Sequence, residues 1–176
     1  PLPGGSLAIK RPYRIAIGYL LALIGESAFD SRLGFLNSIN KAEIAMIKRQ
    51  VETNINSPLT SSMGRLFDAV SAMAGIRGII DYEAQAAIEM EMKAYEAKDE
   101  RGTYPFNLIA QEGYNIVLLH DLIGAVVKDL LMGCPVATIS MRFHNTIAML
   151  ALDICLRVRE QSGLDTVALS GGCFQN

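Results

Sequence analysis

Two stretches of this chain combine residue types that could do chemistry. In 166–174, TVALSGGCF, an apolar run delivers Ser170, Gly171 and Gly172 to a tight turn. Glycine there removes the side chain that would keep a phosphate or nucleoside away from backbone N–H groups, and it accepts unusual dihedrals. The same pattern also describes an ordinary strand-to-helix turn, so the pair is suggestive only. In 57–75, SPLTSSMGRLFDAVSAMAG, Gly64 and Asp68 lie four residues apart and so share a face of a predicted helix. A backbone gap beside a carboxylate could meet a ribose or a metal-bound nucleotide. Asp68 sits among Leu66, Phe67, Ala69 and Val70, where a carboxylate needs either a local partner or a ligand.

Other chemistries find little support. His120 and His144, the two histidines, fall on different predicted elements without H-x-x-x-H spacing, and His144 beside Phe143 reads as a satisfied helix-face histidine. Nothing near Cys173 in sequence would activate it as a nucleophile. LSGGC is not G-x-S-x-G, and no P-loop pattern occurs. Cys134, Cys155 and Cys173, odd in number and widely spaced, suit reduced thiols in a cytoplasmic setting better than a disulfide framework. Sixteen basic against eighteen acidic residues give a net charge of -2, which offers no global field for nucleic acid or an anionic membrane.

The elements that must position these residues are mostly helical. The 176 residues, 51% hydrophobic and 19% charged, fit one domain with a core. Residues 1–5 form a loop, and a central helix runs from Pro12 to about Glu26. Its apolar run, 15–25, falls short of the roughly 20 residues a membrane helix needs. Asn40 and Glu43 form a capping box for an amphipathic helix to about Thr53, with Ile44, Ile47 and Val51 as its stripe. Ser61 or Ser62 caps a helix through about Ala74, ended by Gly75 and Gly78.

Downstream, 84–98 predicts a helix with Ile88, Met92 and Tyr95 on one face, and 103–119 predicts two short strands or a loose hairpin around Glu112-Gly113. A helix over 121–132 follows. A longer one, Val136 to about Gln161, reads as the packing spine, with Ile139, Phe143, Ile147, Leu150, Ile154 and Val158 recurring at threes and fours. The last element is a strand over 165–169 whose sheet partners lie outside the chain or escape pattern reading. The fold class is α+β and helix-dominated, with an incomplete sheet. An exposed sheet edge and apolar face would favour a homodimer.

Taken together, PLPGG, SPLTSSMGRLFDAVSAMAG, DYEAQAAIEME, YPF, RFHNTIA and ALSGGCFQN, in this order, resemble the hydrogenase-maturation carbamoyltransferase family HypF, specifically its C-terminal carbamoyl-transfer domain. That domain is similar to the tRNA threonylcarbamoyl-transferases (TsaD), which implies an actin/Hsp70-like ATPase-type fold present here as a single partial domain over 1–176, truncated at both ends. The resemblance implies nucleotide contacts at Asp68, about Ala84 and Asn176, with Gly171 and Gly172 as the glycine pair beside the nucleotide and Gly64 on the Asp68 face. It implies ATP and carbamoyl-adenylate as ligands, carbamoyl phosphate as a substrate, HypE as the protein acceptor, and a divalent metal whose ligands lie outside this segment. The family usually has Asp where this chain has Ser6 and Gly where it has Ala84, so the chain departs from the family pattern at both positions. A non-catalytic helical docking module and a sugar- or acetate-kinase-like fragment are the alternatives.

Overall fold

The computed structural model describes residues 1–30, 32–111 and 114–174; Ser31, the predicted hairpin turn at Glu112-Gly113, Gln175 and the candidate nucleotide contact Asn176 lie outside that set. Its helices in chain order are α1 (Ser6–Lys10), α2 (Pro12–Leu23), α3 (Gly34–Asn37), α4 (Lys41–Glu52), α5 (Met63–Met73), α6 (Gln85–Ala94), α7 (His120–Leu131) and α8 (Val136–Ser162). The strands β1 (Asn107–Gln111) and β2 (Tyr114–Leu118) pair antiparallel, from Asn107 opposite Leu118 to Gln111 opposite Tyr114.

The core forms around α2 because that helix is apolar on nearly every side. Ile15, Ala16, Ile17 and Leu20 are fully buried, and each large aliphatic among them contributes about 1.5–3 kcal/mol. Pro12 stands in the first turn, where its missing N–H costs nothing. The helix packs chiefly against α5 and α4. Gly18 allows the N-terminal loop to lie directly on it, since a Cβ there would stand 3.1 Å from Pro3 Cδ. At its far end α5 closes with Gly75 in the left-handed region (φ +72) while the N–H groups of Gly75 and Ile76 bond to the carbonyls of Ala72 and Ser71.

Several sequence expectations are corrected. The 165–169 segment forms no strand: it is exposed and pairs with none of the described elements, because a strand acquires its geometry from a neighbour and none of them provides one. The expected stripe of Ile88, Met92 and, just past α6, Tyr95 faces outward, and Ala86, Met90 and Ala94 are buried instead, because α5 and α8 approach that side. α8 is a spine only as far as Leu150; beyond it Leu152, Leu156 and Val158 are exposed. The capping box of α4 is half made. The Asn40 side chain accepts from the Ala42 N–H at 2.8 Å, but Glu43 turns away to Arg14 and Tyr13.

Candidate functional site

Ser62 caps α5, its Oγ accepting the Arg65 N–H at 3.4 Å, and this fixes the first turns that carry Gly64, Arg65 and Asp68. Gly64 meets only Ser62 Oγ, at 3.7 Å from where a Cβ would stand, so nothing on this side requires a glycine. Asp68 is 1% exposed. Arg65, one turn earlier, lines a cleft of about 750 Å³ together with Leu2, Lys10, Thr60, Tyr82 and Ala84. Three segments meet there: the N-terminal loop with the end of α1, residues 60–65, and residues 80–84. The Ile80 N–H, donating to the Lys10 carbonyl at 3.0 Å, ties the first to the third.

Arg65 Nη1 lies 3.1 Å from Asp68 Oδ2, an ion pair whose alignment satisfies neither atom's hydrogen-bonding capacity. Both atoms are buried. Burial pushes the Asp68 carboxyl up to about 6, and the Arg65 charge only partly opposes the shift. The pair is an acceptor without a donor beside a donor without an acceptor, and of its two residues Arg65 lines the cleft. Native proteins leave few such groups unmatched, and the exceptions concentrate where ligands bind.

Ala84 forms another part of the same cleft. It is the N-cap of α6 with φ 62 and ψ 6, a left-handed conformation that a non-glycine residue adopts at a cost of about 1 kcal/mol. The Asp81 N–H donates to Gln85 Oε1 at 2.7 Å, and Gln85 Nε2 donates to Glu89 at 2.8 Å, which pins the turn. Ala84 and Arg65 thus line one cleft, whereas Asp68, buried and paired with Arg65, and Gly64 are not among its lining residues. Gly171 and Gly172 stand apart as well: both are exposed, neither lines the cleft, and nothing lies within 4 Å of a Cβ built on either.

Arg65 and Lys10 are two cations of the cleft that the sequence reading passed over. The spacing of Arg65 and Asp68, three residues on one helix face, was the available signal for the first. Lys10 had none, since its place depends on the fold of the N-terminal loop.

The RFHNTIA stretch has a different role. Arg142 joins Asp129 (2.9 Å) to Glu100 (3.2 Å), Asn145 Nδ2 donates to the carbonyls of Glu100 and Gly102, and Thr146 Oγ1 accepts the Tyr104 N–H at 2.7 Å. These bonds fasten the loop before β1 onto α8. His144 fits its helix-face reading: Nδ1 donates to the Ser140 carbonyl at 2.7 Å, and the ring packs edge-on to Phe67 at 5.3 Å. Among the described residues no group of three or more His, Cys, Asp or Glu could hold a metal ion. Among them, too, no helix is long and apolar enough to cross a membrane.

Comparison with known proteins gives these features a context. Residues 1–176 match the family model described as Carbamoyltransferase, Kae1-like Domain, second subdomain. The chain is 32% identical to Carbamoyltransferase HypF of Synechocystis, covering 99% of the chain and 24% of that relative. It is 31% identical to Probable carbamoyltransferase HypF of Methanocaldococcus jannaschii, covering 98% and 22%. A crystal structure of full-length HypF in the phosphate- and nucleotide-bound form superposes with a TM-score of 0.86 at 34% identity, over 99% of this chain and 26% of that one. The chain therefore spans about a quarter of the length of these relatives. With a family model matched from end to end and a helix-dominated fold shared with a solved member, this chain belongs to the HypF carbamoyltransferase family.

Proposed function

We propose that the chain supplies one wall of a nucleotide cleft in a HypF-type carbamoyltransferase, and that the cleft between 60–65 and 80–84 holds the adenosine part of carbamoyl-adenylate. The observation that carries this reading is the buried Arg65–Asp68 pair, whose facing atoms lack hydrogen-bond partners and whose Arg65 lines the cleft. A ribose hydroxyl both donates and accepts, so it matches an acceptor and a donor placed side by side. Lys10, also on the cleft, is suited to a phosphate. Asn176 would add a ribose contact and Gly171-Gly172 phosphate access; in the structure the two glycines stand apart from the cleft, so this requires the tail to fold against it.

In the whole protein, ATP and carbamoyl phosphate would give carbamoyl-adenylate elsewhere, and this domain would pass the carbamoyl group to the C-terminal cysteine of HypE during [NiFe]-hydrogenase maturation. The thiolate attacks the carbamoyl carbon, the new C–S bond forms, the C–O bond to phosphate breaks, and AMP leaves with the electron pair. Positioning AMP as a leaving group is the part that these residues would perform. The divalent metal that the resemblance implies would be held by ligands beyond this chain and would supply Lewis-acid chemistry there. The fold is read as part of an actin/Hsp70-like ATPase-type domain, a single partial domain over 1–176. The outward apolar faces of α6 and α8 favour a homodimer, which sedimentation showing only monomer would remove.

The test is AMP titration calorimetry on the chain carried within the Synechocystis carbamoyltransferase in place of the quarter it matches, so that the cleft has its neighbouring walls. Arg65→Ala is expected to weaken AMP binding at least about tenfold, the effect of losing one hydrogen bond to a charged group. Unchanged affinity would remove the cleft reading. The chain alone is expected to transfer no carbamoyl group to HypE.

A further inference from the structure

The molecule has a second fully buried charge, outside the cleft. Arg14, on α2, is 1% exposed, and its guanidinium uses all three nitrogens: Nε donates to the Pro3 carbonyl at 2.8 Å, Nη1 to Glu43 at 2.6 Å and Nη2 to Gln50 at 2.7 Å. Gly4 lies against the same group, where a Cβ would stand 3.0 Å from Nε and 3.1 Å from Nη2, and its φ of +94 independently excludes most side chains. The N-terminal loop thus rests on a rigid planar head that α4 holds from behind.

The loop passes this placement onward. The Leu2 N–H donates to the Pro58 carbonyl and the Gly4 N–H to the Asn56 carbonyl, each at 2.8 Å. Leu2 itself lines the cleft. Two residues beyond Pro58 comes Thr60, also on the cleft, and then Ser62, the cap that sets the first turn of α5 beneath Arg65. One uninterrupted set of bonds therefore runs from Glu43 and Gln50 through Arg14, the loop and 56–62 to the Arg65–Asp68 pair.

We infer that Arg14 is a positioning residue for nucleotide binding: by fixing Pro3 and Gly4 it sets where the Leu2 and 56–62 wall of the cleft stands relative to Arg65. The inference rests on the cleft being the nucleotide site. It does not follow from stability alone, because a buried ion pair contributes little to stability compared with well-packed apolar residues of the same volume. What an apolar replacement could not do is hold a loop carbonyl, a carboxylate and an amide in one plane.

The test uses Arg14→Lys and Gly4→Ala in the same Synechocystis-borne chain, with AMP as the probe. Lysine keeps the charge facing Glu43 but cannot serve three acceptors in fixed directions. Gly4→Ala disturbs the same contact from the loop side and leaves the α2–α4 ion pair in place. Both variants are expected to exchange the Leu2 and Gly4 amides faster and to bind AMP about tenfold more weakly, at temperatures well below unfolding. Because lysine lacks the planar head that the new Cβ would strike, the double variant should lose less affinity than the product of the two single losses. If Arg14→Lys fails to fold, Gly4→Ala decides alone. A folded Gly4→Ala protein with unchanged AMP affinity would overturn the inference and leave Arg14 purely structural. Failure of the cleft reading looks different, since the unsubstituted protein would then not bind AMP.

Discussion

The junction of α2 with α4 and the helix α5 each bury a charged side chain to 1% exposure, and they treat it in opposite ways. Arg14 has a partner for every nitrogen. Asp68 has one charged neighbour, poorly aligned, and an oxygen with no donor. A fully matched buried charge holds structure together, whereas a half-matched one works against the fold. The second is paired with Arg65, a residue of the cleft, which is why a ligand is proposed as its missing partner.

Breaking the matched pair should have the largest effect. Glu43→Ala leaves Arg14 buried with an uncompensated charge and is expected to lower unfolding free energy by about 3–5 kcal/mol, read from the shift in denaturant midpoint. A loss under about 1 kcal/mol would mean that Gln50 and Pro3 suffice.

The unmatched charge should behave in the reverse direction. The Asp68 carboxyl titrates near 6 in the folded chain against an ordinary 3.8, so the folded state holds its proton over that interval while the unfolded state has released it. Stability is therefore fullest below about 4 and falls as pH rises through 6, by roughly 3 kcal/mol for this group. Asp68→Asn should flatten that decline and raise stability at pH 7. An unaltered pH profile would mean that Asp68 is not the group responsible.

The smallest effects concern backbone and surface fastening. Tyr104→Phe removes the phenol that donates to Asp129 at 2.9 Å and should cost about 1 kcal/mol without changing AMP affinity. Ala84→Gly relieves a left-handed alanine and should stabilise by up to about 1 kcal/mol, visible as a rise in thermal midpoint. A fall instead would show that the Ala84 methyl makes contacts worth more than the strain.

How far these features were legible in the sequence follows from how local they are. The helix of Arg65 and Asp68 was legible because Ser62, the apolar period and Gly75 each act within a few residues. The β1–β2 hairpin was legible from its alternating apolar runs. What escaped was set by remote partners. Ile88, Met92 and Tyr95 have helical spacing, but α5 and α8 approach the face of Ala86 and Met90, and periodicity alone does not say which side is covered. The 165–169 run has strand composition without a strand beside it. Asp68 was singled out from its apolar neighbours, yet Lys10 and Arg14 needed the fold of the N-terminal loop to acquire a role.

The most direct test of the central claim sets stability against binding in one substitution. Asp68→Asn is measured at pH 7 for unfolding free energy in the chain and for AMP affinity in the Synechocystis-borne protein. The expected result is a more stable protein that binds AMP at least about tenfold more weakly, because the carboxylate that burdens the fold is the acceptor for the ligand. A more stable protein with undiminished affinity, or a less stable one with undiminished affinity, would contradict the assignment of Asp68 to the cleft.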